Sequence, residues 1–98
     1  MITPAHVQQV FAHEHVVSYP HGASLCDAHS CRGLDYAGGG IVAFLAPRSH
    51  PQYELVVLRT PAEAKRLLDL LRGARRRDNV VLYATTQLPR IFRIFSTL

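Results

Sequence analysis

The chain of 98 residues is poor in cysteine and has no long apolar run, and each shortage excludes a class of protein. Its two cysteines, Cys26 and Cys31, are too few for the disulfide framework typical of a small secreted domain. No apolar run approaches the roughly 20 residues that a transmembrane helix needs. The first residues lack the basic and apolar regions of a signal peptide, so we expect a soluble, cytoplasmic protein with no membrane association.

The composition is that of one folded domain. Hydrophobic residues make up 48% of the chain and charged residues 18%, a balance that favours a globular rather than a disordered chain. No internal repeat is visible and no proline- or serine-rich linker divides the sequence. We therefore predict a single domain over residues 1–98, with one core that needs no disulfide or metal.

Hydrophobic spacing and turn residues predict the element order α-β-β-β-α-β-β. The clearest signal is a capping box, in which Thr60 caps a helix that Pro61 begins and Glu63 reaches back to the cap. Thr3 and Pro4 begin the first helix in the same way. The predicted helices cover about 4–13 and 61–72, and the predicted strands cover 15–19, 41–45, 53–59, 79–84 and 91–95.

These elements predict an α+β fold of two layers, in which two helices pack on a mixed β-sheet of four to five strands. If the strands between residues 53 and 84 are parallel, their connection should be a right-handed crossover. Residues at about 20–40 show no periodicity, which predicts a long irregular loop. The apolar strand at 91–95 would offer an edge to a second copy, so both a monomer and a homodimer remain open.

Positive charge is concentrated in the second half of the chain. Residues 1–49 contain two basic and three acidic residues, whereas residues 50–98 contain nine basic and four acidic ones. The net charge of the whole chain is +4 with neutral histidines. This asymmetry indicates that the second half is the part that would meet an anionic partner.

The arginines of that half are the first candidate site. Guanidinium groups bind phosphate and carboxylate through paired hydrogen bonds, and several together attract a polyanion. The same arginines could instead form a solvated helix end, where cations are favoured by the helix dipole. No sequence motif of a nucleic-acid-binding fold is present. The candidate anion-binding or nucleic-acid-binding residues are Arg66, Arg72, Arg75, Arg76, Arg77, Arg90 and Arg93.

A second candidate site is the histidine- and cysteine-rich loop. Cys26, His29 and Cys31 supply three thiolate or imidazole donors within six residues, and His21 could be the fourth ligand of a zinc ion. The spacing is not that of a standard zinc finger, because no second cysteine or histidine pair follows. An exposed polar loop with incidental histidines is the alternative interpretation.

The sequence alone does not single out one function. The interpretation that we favour is a small non-enzymatic binding domain, which needs no cofactor and uses its basic surface for an anionic partner, either nucleic acid or an acidic protein. Two alternatives stay open. One is a zinc-binding domain built on the loop, and the other is a small enzyme of unknown class whose catalytic residues the sequence does not reveal.

Overall fold

The computed structural model describes residues 1–14, 16–19, 36–37, 43–46, 52–84 and 87–98. The predicted loop at about 20–40 lies almost entirely outside the described residues. In chain order the elements are helix α1 (Pro4–Val10), a 3-10 turn (Ala12–Glu14), strands β1 (Val17–Tyr19), β2 (Ala43–Ala46) and β3 (Tyr53–Val57), helix α2 (Pro61–Leu70), strands β4 (Arg75–Arg77) and β5 (Val80–Ala84), and helix α3 (Pro89–Phe95).

The described strands form one five-stranded sheet in the order β1-β2-β3-β5-β4. Every neighbouring pair is antiparallel. The predicted α+β class is therefore confirmed, whereas the predicted mixed sheet is wrong. Because β5 is antiparallel to both β3 and β4, these two strands run in the same direction and α2 connects them. The predicted strands at 53–59 and 79–84 correspond to β3 and β5, which are antiparallel, so the condition for the expected crossover between them is not met. Helix α2 instead connects β3 to the edge strand β4.

Helices cover both faces of the sheet, so the predicted two-layer arrangement is wrong. Helices α1 and α3 pack on the face formed by Leu55 and Val57 of β3 and by Val80 and Leu82 of β5. Helix α2 packs on the opposite face. The residues in that second core are Tyr36, Val56, Leu58, Ala64, Leu67, Leu71 and Val81. The strict alternation of side chains along β3 and β5 separates the two cores.

The third helix replaces a predicted strand. Residues 91–95 lie in α3, where Pro89 occupies the first turn and Ile91 and Phe95 are buried four residues apart. Ile91, Phe92 and Phe95 all pack against the core on the α1 side of the sheet, whereas in a strand Phe92 would lie on the face opposite the other two. The idea of a homodimer through a C-terminal strand edge is wrong for the same reason. The described residues contain no helix long and apolar enough to cross a membrane.

A strand also replaces a predicted turn. Residues 75–77 form β4, which a two-residue loop joins to β5. Asp78 has φ +52° in that loop, a left-handed conformation that aspartate tolerates better than most residues. Helix α2 begins at Pro61 as predicted, with the Thr60 side chain accepting a hydrogen bond from the Glu63 N–H, but it ends at Leu70 rather than at residue 72. Gly73, with φ +82°, turns the chain towards β4.

Candidate anion-binding surface

The edge strand β4 consists of three consecutive arginines, Arg75, Arg76 and Arg77, and we call them the arginine edge. All three are exposed. Arg75 and Arg77 pair with Leu82 and Val80 of β5, which places both on the sheet face that α3 covers. Arg76 lies between them and belongs to the α2 face. The strand therefore presents positive charge on both sides of one edge of the sheet.

Arg75 is held against α3 by an aromatic ring. Its guanidinium carbon lies 3.9 Å from the centroid of the Phe92 ring. A guanidinium above a ring face is stabilised by the quadrupole of the ring, typically by about 0.5–1 kcal/mol at an exposed site. The contact fixes the position of the charged group but leaves its outer edge available for hydrogen bonds.

The other two guanidinium groups are positioned by main-chain oxygens. A terminal nitrogen of Arg76, Nη1, donates to the Asp78 oxygen at 2.9 Å. Arg77 Nε donates to the Leu98 oxygen at 2.6 Å. Each bond uses one of the five N–H groups of a guanidinium, so each side chain is oriented and keeps further donors.

No aspartate or glutamate side chain forms a salt bridge with the arginine edge within the part of the chain that the structure describes. The salt bridges there involve other arginines. Arg66 pairs with Glu63 on α2 at 3.5 Å, and Arg90 pairs with Glu14 at 2.7 Å. Of the predicted site residues, Arg66 and Arg90 are thus occupied by acidic partners. Arg72, after α2, and Arg93, on α3, are exposed near the ends of their elements.

A shallow groove runs between the arginine edge and α3. Its volume is about 210 Å³. The α3 side contributes two residues that are not among the predicted site residues, Phe92 as part of the groove wall and Ser96 beside it. The missed signal is the spacing of Ile91, Phe92 and Phe95, which fits one helix face better than a strand. The groove is lined by Arg75, Arg76, Arg77, Phe92, Phe95 and Ser96.

The predicted zinc ligands Cys26, His29, Cys31 and His21 lie outside the described residues. Among the residues that are described, no three or more histidine, cysteine or acidic side chains come together in a way that could hold a metal ion.

Tyr53 carries a buried polar group within the core of the sheet. The Tyr53 hydroxyl is buried without a hydrogen-bond partner on the α1 side. Burial raises the pKa of Tyr53 to about 12, with a smaller contribution from the nearby Glu14 carboxylate that the charge of Arg90 opposes. The neutral phenol therefore persists well above physiological pH, and Tyr53 does not act as a base there.

Glu54 on β3 is also buried, and it is 1% exposed. Tyr36 lies close enough that the charge of Glu54 adds to the effect of burial, and both raise the pKa of that phenol. The sequence analysis did not single out Glu54. The available signal was an acidic residue inside an otherwise apolar strand, because such a residue is rarely buried without a partner.

Comparison of the chain with protein-family models, with curated proteins and with solved structures gave no match. Function must therefore be argued from the geometry of the described residues.

Proposed function

We propose that this chain is a non-enzymatic interaction domain that binds an anionic macromolecule through the arginine edge. One observation carries the proposal: three adjacent arginines are exposed on an edge strand, and none forms a salt bridge to an aspartate or glutamate side chain among the described residues. Guanidinium groups form strong, charge-assisted hydrogen bonds to phosphate and carboxylate oxygens. Nucleic acid and acidic proteins both supply such oxygens.

Repulsion between the guanidinium groups of the arginine edge favours the binding of an anion. Side chains two residues apart on a strand lie roughly 7 Å from each other, which is within the screening length of about 8 Å at physiological salt. Arg75 and Arg77 share a face of the sheet, so their charges repel in the free protein. An anion placed between them would relieve this repulsion while it gains hydrogen bonds.

The contacts of β4 favour a binding surface that is partly formed in advance. Phe92 and two main-chain oxygens already restrict the three guanidinium groups. Side chains that are ordered before binding lose less conformational entropy when a ligand arrives, and this loss is otherwise about 0.5–1.5 kcal/mol for each long side chain.

The experiment compares two double variants with equal loss of charge. Arg76→Gln/Arg77→Gln removes two charges from the arginine edge, and Lys65→Gln/Arg66→Gln removes two from the exposed side of α2. Fluorescence anisotropy measures binding to a labelled single-stranded oligonucleotide and to a labelled polyglutamate at low salt. We expect roughly a tenfold loss of affinity for at least one polyanion in the edge variant and less than about twofold in the control.

Equal losses in the two variants would show that only net charge matters, and the proposal would be wrong. Absence of binding to both polyanions by the unmodified chain would also contradict it. Circular dichroism of each variant checks that the loss of affinity does not follow from loss of the fold.

A further inference from the structure

The position of the arginine edge at the end of the sheet indicates which kind of anionic partner it binds. β4 is the last strand in the order β1-β2-β3-β5-β4, and β5 is its one strand neighbour among the described residues. A strand at the end of a sheet has main-chain N–H and C=O groups on its outer side that no strand of the sheet uses. The arginine edge thus combines exposed positive side chains with main-chain donors and acceptors.

We infer that the arginine edge binds an acidic peptide segment in an extended conformation, which adds to the sheet alongside β4 as a further strand. This inference rests on the proposed function and names its partner. Strand addition is a recurring way to bind peptides, in which main-chain hydrogen bonds give affinity and alternating side chains give specificity. Here the alternating side chains are Arg75, Arg76 and Arg77.

Charge determines which strand is accepted. The β4 strand of a second copy carries the same three arginines, so two β4 edges placed side by side would bring like charges together. A neutral strand would leave the arginines without partners. An acidic strand pairs with them at a cross-strand distance of about 4.5–5.5 Å, which lets each carboxylate reach a guanidinium. The edge therefore opposes self-association while it favours an acidic segment.

The described aromatic residues favour a peptide over single-stranded nucleic acid. Proteins that bind single strands usually stack bases on exposed aromatic rings. Here Phe11, Tyr36, Tyr53 and Phe95 are buried, Tyr83 is partly buried against the core on the α2 side, and the Phe92 ring is covered on one side by Arg75. A phosphodiester chain also has no N–H groups, so it cannot complete the hydrogen-bond pattern of a strand edge.

The test uses the whole chain and a synthetic seven-residue peptide with blocked ends, in which three consecutive glutamates stand between valine and threonine residues. A second peptide has the same sequence and charge, but each glutamate carries an N-methyl group. We expect the unmethylated peptide to bind at least about tenfold more tightly than the methylated one, because only the former can donate main-chain hydrogen bonds from its three glutamates. Equal affinities would overturn strand addition and leave charge binding intact.

Amide hydrogen exchange gives an independent measure. Saturation with the unmethylated peptide should slow exchange at one or more of the Arg75, Arg76 and Arg77 N–H groups by at least about tenfold, whereas a 12-nucleotide single strand should not. Peptide binding without this protection would overturn the inference. Binding of the oligonucleotide but not of the peptide would overturn it too, although the proposed function would stand. If neither ligand binds, both are wrong.

Discussion

At the scale of the residue, the side chain of Asn79 connects separate segments of the chain through hydrogen bonds. Its side-chain amide donates to the main-chain oxygens of Ile2 and Leu58 at 2.8 Å each, and its side-chain oxygen accepts the Ile2 N–H at 2.8 Å. Asn79 is 1% exposed, so water does not replace these bonds. One side chain thus joins the start of the chain to the end of β3 and to the turn before β5.

Substitution of Asn79 tests this role. Asn79→Ala removes three hydrogen bonds and leaves main-chain groups of Ile2 and Leu58 without partners, so we expect the free energy of unfolding to fall by about 2–4 kcal/mol. Urea denaturation measures the change. The matched control is Gln87→Ala, which removes an exposed amide and should cost less than about 0.5 kcal/mol. A similar effect in both variants would contradict the role of Asn79.

For Tyr53, we expect that removal of a polar group does not lower the free energy of unfolding. Its hydroxyl is buried without a partner, so Tyr53→Phe removes a polar group that gains nothing from the fold. We expect the free energy of unfolding at pH 7 to stay the same or to rise by up to about 1 kcal/mol. A loss above about 1 kcal/mol, measured by urea denaturation, would mean that the hydroxyl has a stabilising partner.

The raised pKa of Tyr53 also predicts how stability depends on pH. The folded phenol has a pKa of about 12, above the ordinary value of 10.0, so the unfolded chain releases its proton first as pH rises. Titration of Tyr53 therefore leaves the free energy of unfolding unchanged below about pH 10 and lowers it between about pH 10 and 12. The thermal midpoint should therefore fall less steeply over this range in Tyr53→Phe than in the unmodified chain. Parallel curves would contradict the prediction.

Among the elements, the helices with strong capping signals could be predicted from sequence. Thr3 and Thr60 each accept a hydrogen bond from the N–H three residues later, and a proline begins each helix. These interactions are local, so they depend on neighbouring residues alone. The starts of α1 and α2 were therefore correct, although both helices end earlier than predicted.

The two elements that sequence analysis misassigned depend on tertiary contacts. Residues 91–95 are rich in β-propensity, but packing of Ile91 and Phe95 against the sheet favours a helix. Three consecutive arginines have no strand pattern, and β4 forms because β5 supplies main-chain partners and Phe92 supplies a surface for Arg75. The sequence identified these arginines as a candidate site. Their common position on an edge strand could not be predicted, because it depends on the order of strands in the sheet.

The conformation of the turn that joins β4 to β5 can be tested by substitution of Asp78. Asp78 adopts φ +52°, where glycine has no steric penalty and alanine has one. We expect Asp78→Gly to leave the free energy of unfolding unchanged or to raise it by about 0.5 kcal/mol, and Asp78→Ala to lower it by about 1 kcal/mol. Thermal denaturation measures the stability of the two variants. Since both remove the same carboxylate, their difference reports the steric cost of a Cβ atom at this φ angle. Equal stability of the two would contradict the strained turn.

At the scale of the whole molecule, helices pack on both faces of an antiparallel sheet, and the arginine edge is the last strand of that sheet. Helices α1 and α3 cover one core and α2 covers the other, so both faces of β3 and β5 are occupied, and β4 is one of the two edge strands of the described sheet. The zinc site predicted at Cys26, His29, Cys31 and His21 stays a prediction. Elemental analysis of protein purified without a metal column would detect about one zinc per chain if the prediction is correct.

The salt dependence of binding at the arginine edge tests the central claim most directly. The affinity of the unmodified chain for the better bound polyanion is measured between 50 and 200 mM salt, beside Arg76→Gln/Arg77→Gln and Lys65→Gln/Arg66→Gln. We predict at least roughly a tenfold loss across this range for the unmodified chain and for the α2 control, and a markedly flatter dependence for the edge variant. An affinity that does not change with salt, or three parallel slopes, would contradict the claim that these arginines bind an anion.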